Sequence, residues 1–172
     1  GAGEPHIGDV PAAMGELQIG ESVLNWIIGA SGCPKSKTTF VSGFQSDLIK
    51  RNYPDIEVLE NKYWSSTASG FSLSLSELNS QEALLVTYSD ILFRDGLVER
   101  LSNVDADVVV AYDSLWQTRF SGSKTRELSH REKVKTYGDK IVSVGRNISA
   151  DWATGEFIGL VWFSPLAVAL LK

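Results

Sequence analysis

What most restricts the fold of this chain is an alternation. Between residues 21 and 113, segments with helical spacing take turns with short β-branched runs, the pattern that βαβ crossovers of an α/β sheet require. ESVLNWIIGASG (21–32) puts Val23, Leu24, Ile27 and Ile28 on one helical face and ends at a glycine. KTTFVSG (37–43) reads as a strand, FQSDLIKRNY (44–53) as a helix, and DIEVLEN (55–61) as a strand opened by a Pro-Asp turn. SGFSLSLSELN (69–79) reads as a helix with Phe71, Leu75 and Leu78 inward, although its Ser/Leu alternation also fits a strand. EALLVTYSD (82–90) is expected to be a strand buried on both faces, DGLVERLSN (95–103) a helix and ADVVVAYD (106–113) a strand. The expected fold is a Rossmann-like α/β domain with a mixed, mostly parallel sheet flanked by helices.

After Asp113 the pattern changes. Residues 114–131 are polar and irregular, and EKVKTYG (132–138) and KIVSVGRNI (140–148) form a hairpin around Gly138-Asp139. EFIGLVWF (156–163) is a further strand, and SPLAVALLK starts a helix with Ser164 as N-cap and Pro165 at its first position. No repeat or linker interrupts the chain, so residues 1–172 are read as one domain. Both ends look cut: GAGEP is a glycine turn with no strand before it, and the final helix stops short.

Composition narrows the function. A net charge of −5 and a pI near 5.0 give no general attraction to nucleic acid, so an anionic ligand has to be held by local backbone donors or a metal. No apolar run approaches the roughly 20 residues that span a bilayer, and no cleavable leader is visible, so the expected location is cytoplasmic, without a membrane partner. The single cysteine, Cys33, has no internal disulfide partner. Oligomeric state is not legible, because no periodic apolar surface identifies an interface.

Open α/β sheets bind ligands beyond the carboxyl ends of their strands. Asp90, next to Ser89, and Asp113 sit at such ends; each is either a hard oxygen ligand for magnesium or a cap for the following helix. Ala2 and Gly3 in the opening GAG can let backbone amides approach a phosphate, or form a plain turn. Thr67, Ser69 and Gly70 in STASG bring hydroxyls and amides to a helix start, for a base edge or for capping. Trp64, Trp116 and Trp152 lie in polar surroundings and could receive an ammonium group through cation–π attraction, or cover a sheet edge. Glu132, Lys133 and Arg146 are hairpin charges that face either ligand or water. His6 and His130 lack metal-ligand spacing, and there is no nucleophile elbow and no P-loop.

In order along the chain, GAG, GESVLNWII, FVSGFQSDLI, IEVLENKYWSSTASGFSLSLSEL, TYSDILF, ADVVVAYDSLWQTRF, LSHREKVKTYGDKIVSVGRNI and GEFIGLVWFSP together resemble the sugar-nucleotidyltransferase-like superfamily. The branch they resemble most is that of the phosphocholine and aminoethylphosphonate cytidylyltransferases. This resemblance implies a fold of the nucleotide-diphospho-sugar transferase type and magnesium-dependent transfer of a nucleotidyl group from an NTP, CTP being favoured. A phosphate or phosphonate oxygen of a small acceptor (phosphocholine, aminoethylphosphonate or a sugar phosphate) attacks the α-phosphorus, and pyrophosphate leaves. The resemblance places Asp90 on the metal, Ala2 and Gly3 at the triphosphate, and Thr67 to Gly70 at the base. It places Asp113, Trp116 and the strand beginning at Glu156 on the acceptor side.

The chain departs from the family pattern at two points. Where the family loop continues to a Pro-Lys pair, Pro11 is followed by Ala12, and no lysine or arginine occupies the first 30 positions. Lys133 and Arg146 are the expected replacement cations. The family's second metal aspartate would lie beyond Lys172. The rival expectation is therefore a nucleotide-binding or regulatory domain of the same fold, without turnover. A glycosyltransferase of related fold is disfavoured because Ser89-Asp90-Ile91 lacks an Asp-x-Asp pair.

Overall fold

The computed structural model describes residues 10–119 and 130–171. The alternation expected from the sequence is present. α1 (Val23–Ser31) begins at Ser22, whose hydroxyl accepts from the Asn25 amide, and ends at Gly32 in the left-handed region. β1 (Thr39–Ser42), α2 (Ser46–Asn52) and β2 (Glu57–Glu60) follow, and β1 and β2 pair in parallel from Thr39↔Glu57 to Ser42↔Glu60. This is one βαβ unit.

α3 is shorter than expected, Ser69–Ser74, and Phe71 and Leu75 are exposed rather than inward. Its serines explain the short run: the Ser74 hydroxyl donates to the Phe71 carbonyl, the local bonding with which serine competes against helix propagation. β3 (Leu84–Thr87), α4 (Leu97–Ser102), β4 (Val108–Asp113) and the single turn α5 (Trp116–Arg119) complete the alternating part. Next come the hairpin strands β5 (Lys133–Tyr137) and β6 (Lys140–Gly145), the long β7 (Gly155–Phe163), and α6 (Pro165–Leu170). The Ser164 cap and Pro165 are as expected, with the Ala167 amide donating to the Ser164 hydroxyl.

The mostly parallel sheet is not what the strands build. Among the described residues, parallel pairing is confined to β1 and β2; the other five strands form a second sheet whose ladders are antiparallel. β7 pairs with β3 through Leu84↔Phe163 to Thr87↔Leu160 and with β4 through Val108↔Phe163 to Ala111↔Leu160, so the two flank the same four residues from opposite sides. β3 and β4 run in one direction, as a crossover through α4 demands. A strand from the end of the chain lies between them and reverses every ladder.

The two sheets share α1. Leu24 and Ile28 pack with Ile49, Tyr53 and Ile56 against the β1–β2 side, whereas Ile27 and Ala30 pack with Phe93, Leu101, Ala111 and Leu160 on the five-stranded side. No ladder joins the sheets among the described residues. Lys37, just before β1, reaches Glu82, just before β3, at 2.8 Å, so the two strands start at the same end of a shared seam. β3, expected to be buried on both faces, is only half-buried along its length and, among the described residues, has a ladder on the β7 side alone.

Candidate functional site

The chain beyond β1 and β2 folds back over their carboxyl ends. The Asn61 amide donates to the Ser42 carbonyl at 2.7 Å, and Trp64 packs on Gly43, where a Cβ would stand 2.3 Å from the indole. Trp64 is therefore a packing residue that requires glycine beneath it. Buried Asn61 organises the loop: its side chain accepts from the Tyr63 amide and donates to Thr67 at 3.0 Å and to Ser72 at 3.1 Å. Nothing in the spacing singled out Asn61; the only hint was an Asx residue directly after a strand. Thr67 also donates to the Tyr63 carbonyl, so its hydroxyl is engaged within the loop, while Ser69 and Gly70 stay exposed at the start of α3.

β3 delivers Tyr88, Ser89 and Asp90 to the same end. The Asp90 carboxylate is exposed and accepts no hydrogen bond from any described residue. Asp113 differs: its carboxylate accepts from the Leu115 amide at 3.0 Å and pairs with the Arg119 Nε at 3.1 Å, which is the capping alternative. Ala2, Gly3 and His6 lie outside the described residues.

Residues directly opposed in an antiparallel ladder project to one face. Asp113↔Glu156 and Lys133↔Glu156 are such pairs, so Asp113, Glu156 and Lys133 form a row across β4, β7 and β5. Arg131 joins it by donating to Glu156 at 2.6 Å, and Lys133 Nζ donates to the Arg131 carbonyl at 2.9 Å. Lys133 is 2% exposed, and burial lowers its pKa from the ordinary lysine value, partly countered by the Glu156 charge. The expected role of Lys133 as an open cation over phosphates is thus not what the structure offers: the side chain is enclosed and bonded within the sheet.

The opposite face carries a second network. Tyr88 packs on Gly159, where a Cβ would lie 2.2 Å from the ring and φ is +80°, and meets Phe157 edge-on at 5.8 Å. Its hydroxyl donates to Glu132 Oε2 at 2.9 Å, and Glu132 Oε1 faces Arg146 Nε at 3.8 Å. Burial raises the Tyr88 pKa most; the Ser69 hydroxyl beside it acts the other way and Glu132 adds to the rise. Ser69 and Arg146, predicted from separate stretches, are thereby brought to one tyrosine that sequence reasoning passed over.

The aromatic candidates separate as well. Trp116 is buried and offers no open ring face to an ammonium group. Trp152 is exposed and already carries a cation, Lys135 Nζ lying 4.8 Å from the ring centroid. Among the described residues, no group of three or more His, Cys, Asp or Glu side chains could hold a metal, and no helix is long and apolar enough to cross a membrane. Asp90 alone still fits magnesium, which takes one or two carboxylates and completes its shell with water and phosphate oxygens.

No family model matches the chain. It is 26% identical over 136 residues to the CTP:phosphoglutamine cytidylyltransferase of Campylobacter jejuni, an alignment covering 72% of this chain and 53% of that protein. The structure of the inositol-1-phosphate CTP transferase from T. maritima superposes with a TM-score of 0.64 at 18% identity, over 95% of this chain and 65% of the other. The chain therefore spans about half the length of the curated relative. Both matches are nucleotidyltransferase-like, as is the resemblance carried by the order of the motifs, and the α/β fold is that of a CTP transferase.

Proposed function

We propose that this domain transfers a cytidylyl group from CTP to a small acceptor bearing a phosphate or phosphonate. The observation that carries this reading is the exposed Asp90 carboxylate at the end of β3, without a hydrogen-bond partner among the described residues, in a fold shared with a CTP transferase. A carboxylate presented without internal donors is available to a divalent cation. Asp90 would hold magnesium, which when bound neutralises charge on the triphosphate. Exposed Ser69 and Gly70 would meet the base, and exposed Arg146 would supply a positive charge from the hairpin. The chemistry asks little else of the protein, because positioning and charge neutralisation supply most of the rate in such transfers.

The test is magnesium-dependent pyrophosphate release by the purified protein across the four NTPs, with a panel of phosphocholine, aminoethylphosphonate, phosphorylated amides and sugar phosphates. Release with CTP and one acceptor class supports the reading. Asp90→Asn, which removes one charge at nearly constant volume, should abolish release and magnesium-dependent CTP binding with an unchanged thermal midpoint. Equal CTP affinity in that variant would remove Asp90 from the site. Ala12, standing where the family pattern has a lysine, favours a second reading, a nucleotide-binding domain without turnover. CTP binding by calorimetry without release under any acceptor would select it.

A further inference from the structure

The Glu132 carboxylate is shared unequally. One oxygen takes the Tyr88 hydroxyl at 2.9 Å, and the other faces the Arg146 Nε at 3.8 Å, too long for a hydrogen bond. Arginine binds a carboxylate most strongly through two parallel bonds, which need both oxygens. The Tyr88 hydroxyl holds Oε2 and so fixes the orientation of the carboxylate, with Oε1 the oxygen turned to the guanidinium. The Arg146 side chain is 69% exposed although a carboxylate stands beside it.

Tyr88 itself is held from every side. Its ring lies on Gly159 and against Phe157, its amide donates to the Gly159 carbonyl at 2.8 Å, and Ser69 lies at its hydroxyl. It is also two residues from Asp90. Ser69 thus meets the phenol directly, and Arg146 is linked to it through Glu132.

We propose that Tyr88 is a positioning residue that keeps Arg146 available to the triphosphate: by holding Glu132 Oε2 it fixes the carboxylate in an orientation that presents one oxygen, at 3.8 Å, rather than a bidentate edge to the arginine. Glu132 then acts as a resting counter-charge, which Arg146 leaves when phosphate oxygens arrive. This assignment rests on the transferase reading of the site. It adds a residue and a device which that reading does not require.

Tyr88→Phe deletes only the hydroxyl, so Glu132 turns fully to Arg146. Affinity for CTP and for inorganic tripolyphosphate, measured by calorimetry, should fall about tenfold, the order of one charge-assisted contact. In pyrophosphate release, KM for CTP should rise while kcat changes less. Glu132→Gln placed on Tyr88→Phe should restore both affinities, because a neutral amide does not sequester a guanidinium. Arg146→Gln should weaken binding equally, and Tyr88→Phe should add nothing to it. A purely structural tyrosine would instead lower the thermal midpoint, and Glu132→Gln would not restore affinity.

Unchanged affinity in Tyr88→Phe, or a loss that Glu132→Gln leaves in place, overturns the assignment even where pyrophosphate release stands. Conversely, tripolyphosphate binding that is weakened and then restored as described supports it even if no acceptor yields pyrophosphate, and the transferase reading alone then fails. A wild-type protein that binds neither CTP nor tripolyphosphate overturns both.

Discussion

Lys133 and Arg146 lie at the same open end of one hairpin, Lys133 opposite Gly145, and meet opposite conditions. Lys133 points into the face that continues the core of α1 and α4, is bonded to the Arg131 carbonyl and sits beside Glu156. Arg146 follows the last residue of β6, projects to the other face and rests loosely against Glu132. A positive charge in a strand is therefore not one kind of feature. The period of two decides whether it is enclosed as structure or presented as chemistry.

The largest effect that would break this contrast comes from Gly159→Ala. The added Cβ collides with the Tyr88 ring and φ of +80° strains any other residue, so the Arg146 face should lose its scaffold. Denaturant unfolding should show a loss of about 3 kcal/mol or more, and CTP binding should fail with it.

Next in size is the exchange of roles between the two cations. Lys133→Ala should cost about 2 kcal/mol of stability, since it empties a buried stem and leaves a carbonyl without its donor. Arg146→Ala should cost less than about 1 kcal/mol, as exposed pairs do, yet weaken CTP binding more than the lysine variant. Equal effects on binding would abolish the distinction between the faces.

The smallest effect is a divergence in alkali. Lys133 has a lowered pKa when folded, so its charged form costs stability at neutral pH, and the cost is relieved as pH rises toward the ordinary lysine value of 10.5. Tyr88 has a raised pKa, so its contribution is full below the ordinary tyrosine value of 10.0 and is lost as pH climbs through the folded value. Urea midpoints followed from pH 8 upward should rise in the Tyr88→Phe variant relative to wild type once tyrosine ionises. Parallel curves would show that the phenol is not buried in solution.

Much of the architecture was legible from local pattern. α1, α2 and α6 announce themselves by spacing and caps, and the hairpin by Gly138-Asp139, because those signals are local. The pairing of β7 between β3 and β4 was not, since a crossover rule fixes the relative direction of two strands but not what lies between them. The site divides similarly. The exposed position of Asp90 after β3 was legible because a carboxylate at the end of an apolar run is conspicuous in sequence. Enclosed Lys133 and buried Trp116 were misread, for burial depends on tertiary neighbours. Tyr88 and Asn61 were missed because what they do is join segments distant in the chain.

The seam under α1 has a consequence for cooperativity. Two hydrogen-bonded units meet through one shared helix and an exposed ion pair, with no ladder between them among the described residues. Such units open with separate free energies, and amide hydrogen exchange resolves them. β7, laddered on both edges, belongs to the slow-exchanging class, whereas β1 and β3 each carry amides outside any ladder. The strands expected to exchange first are thus β1 and β3, and β7 last.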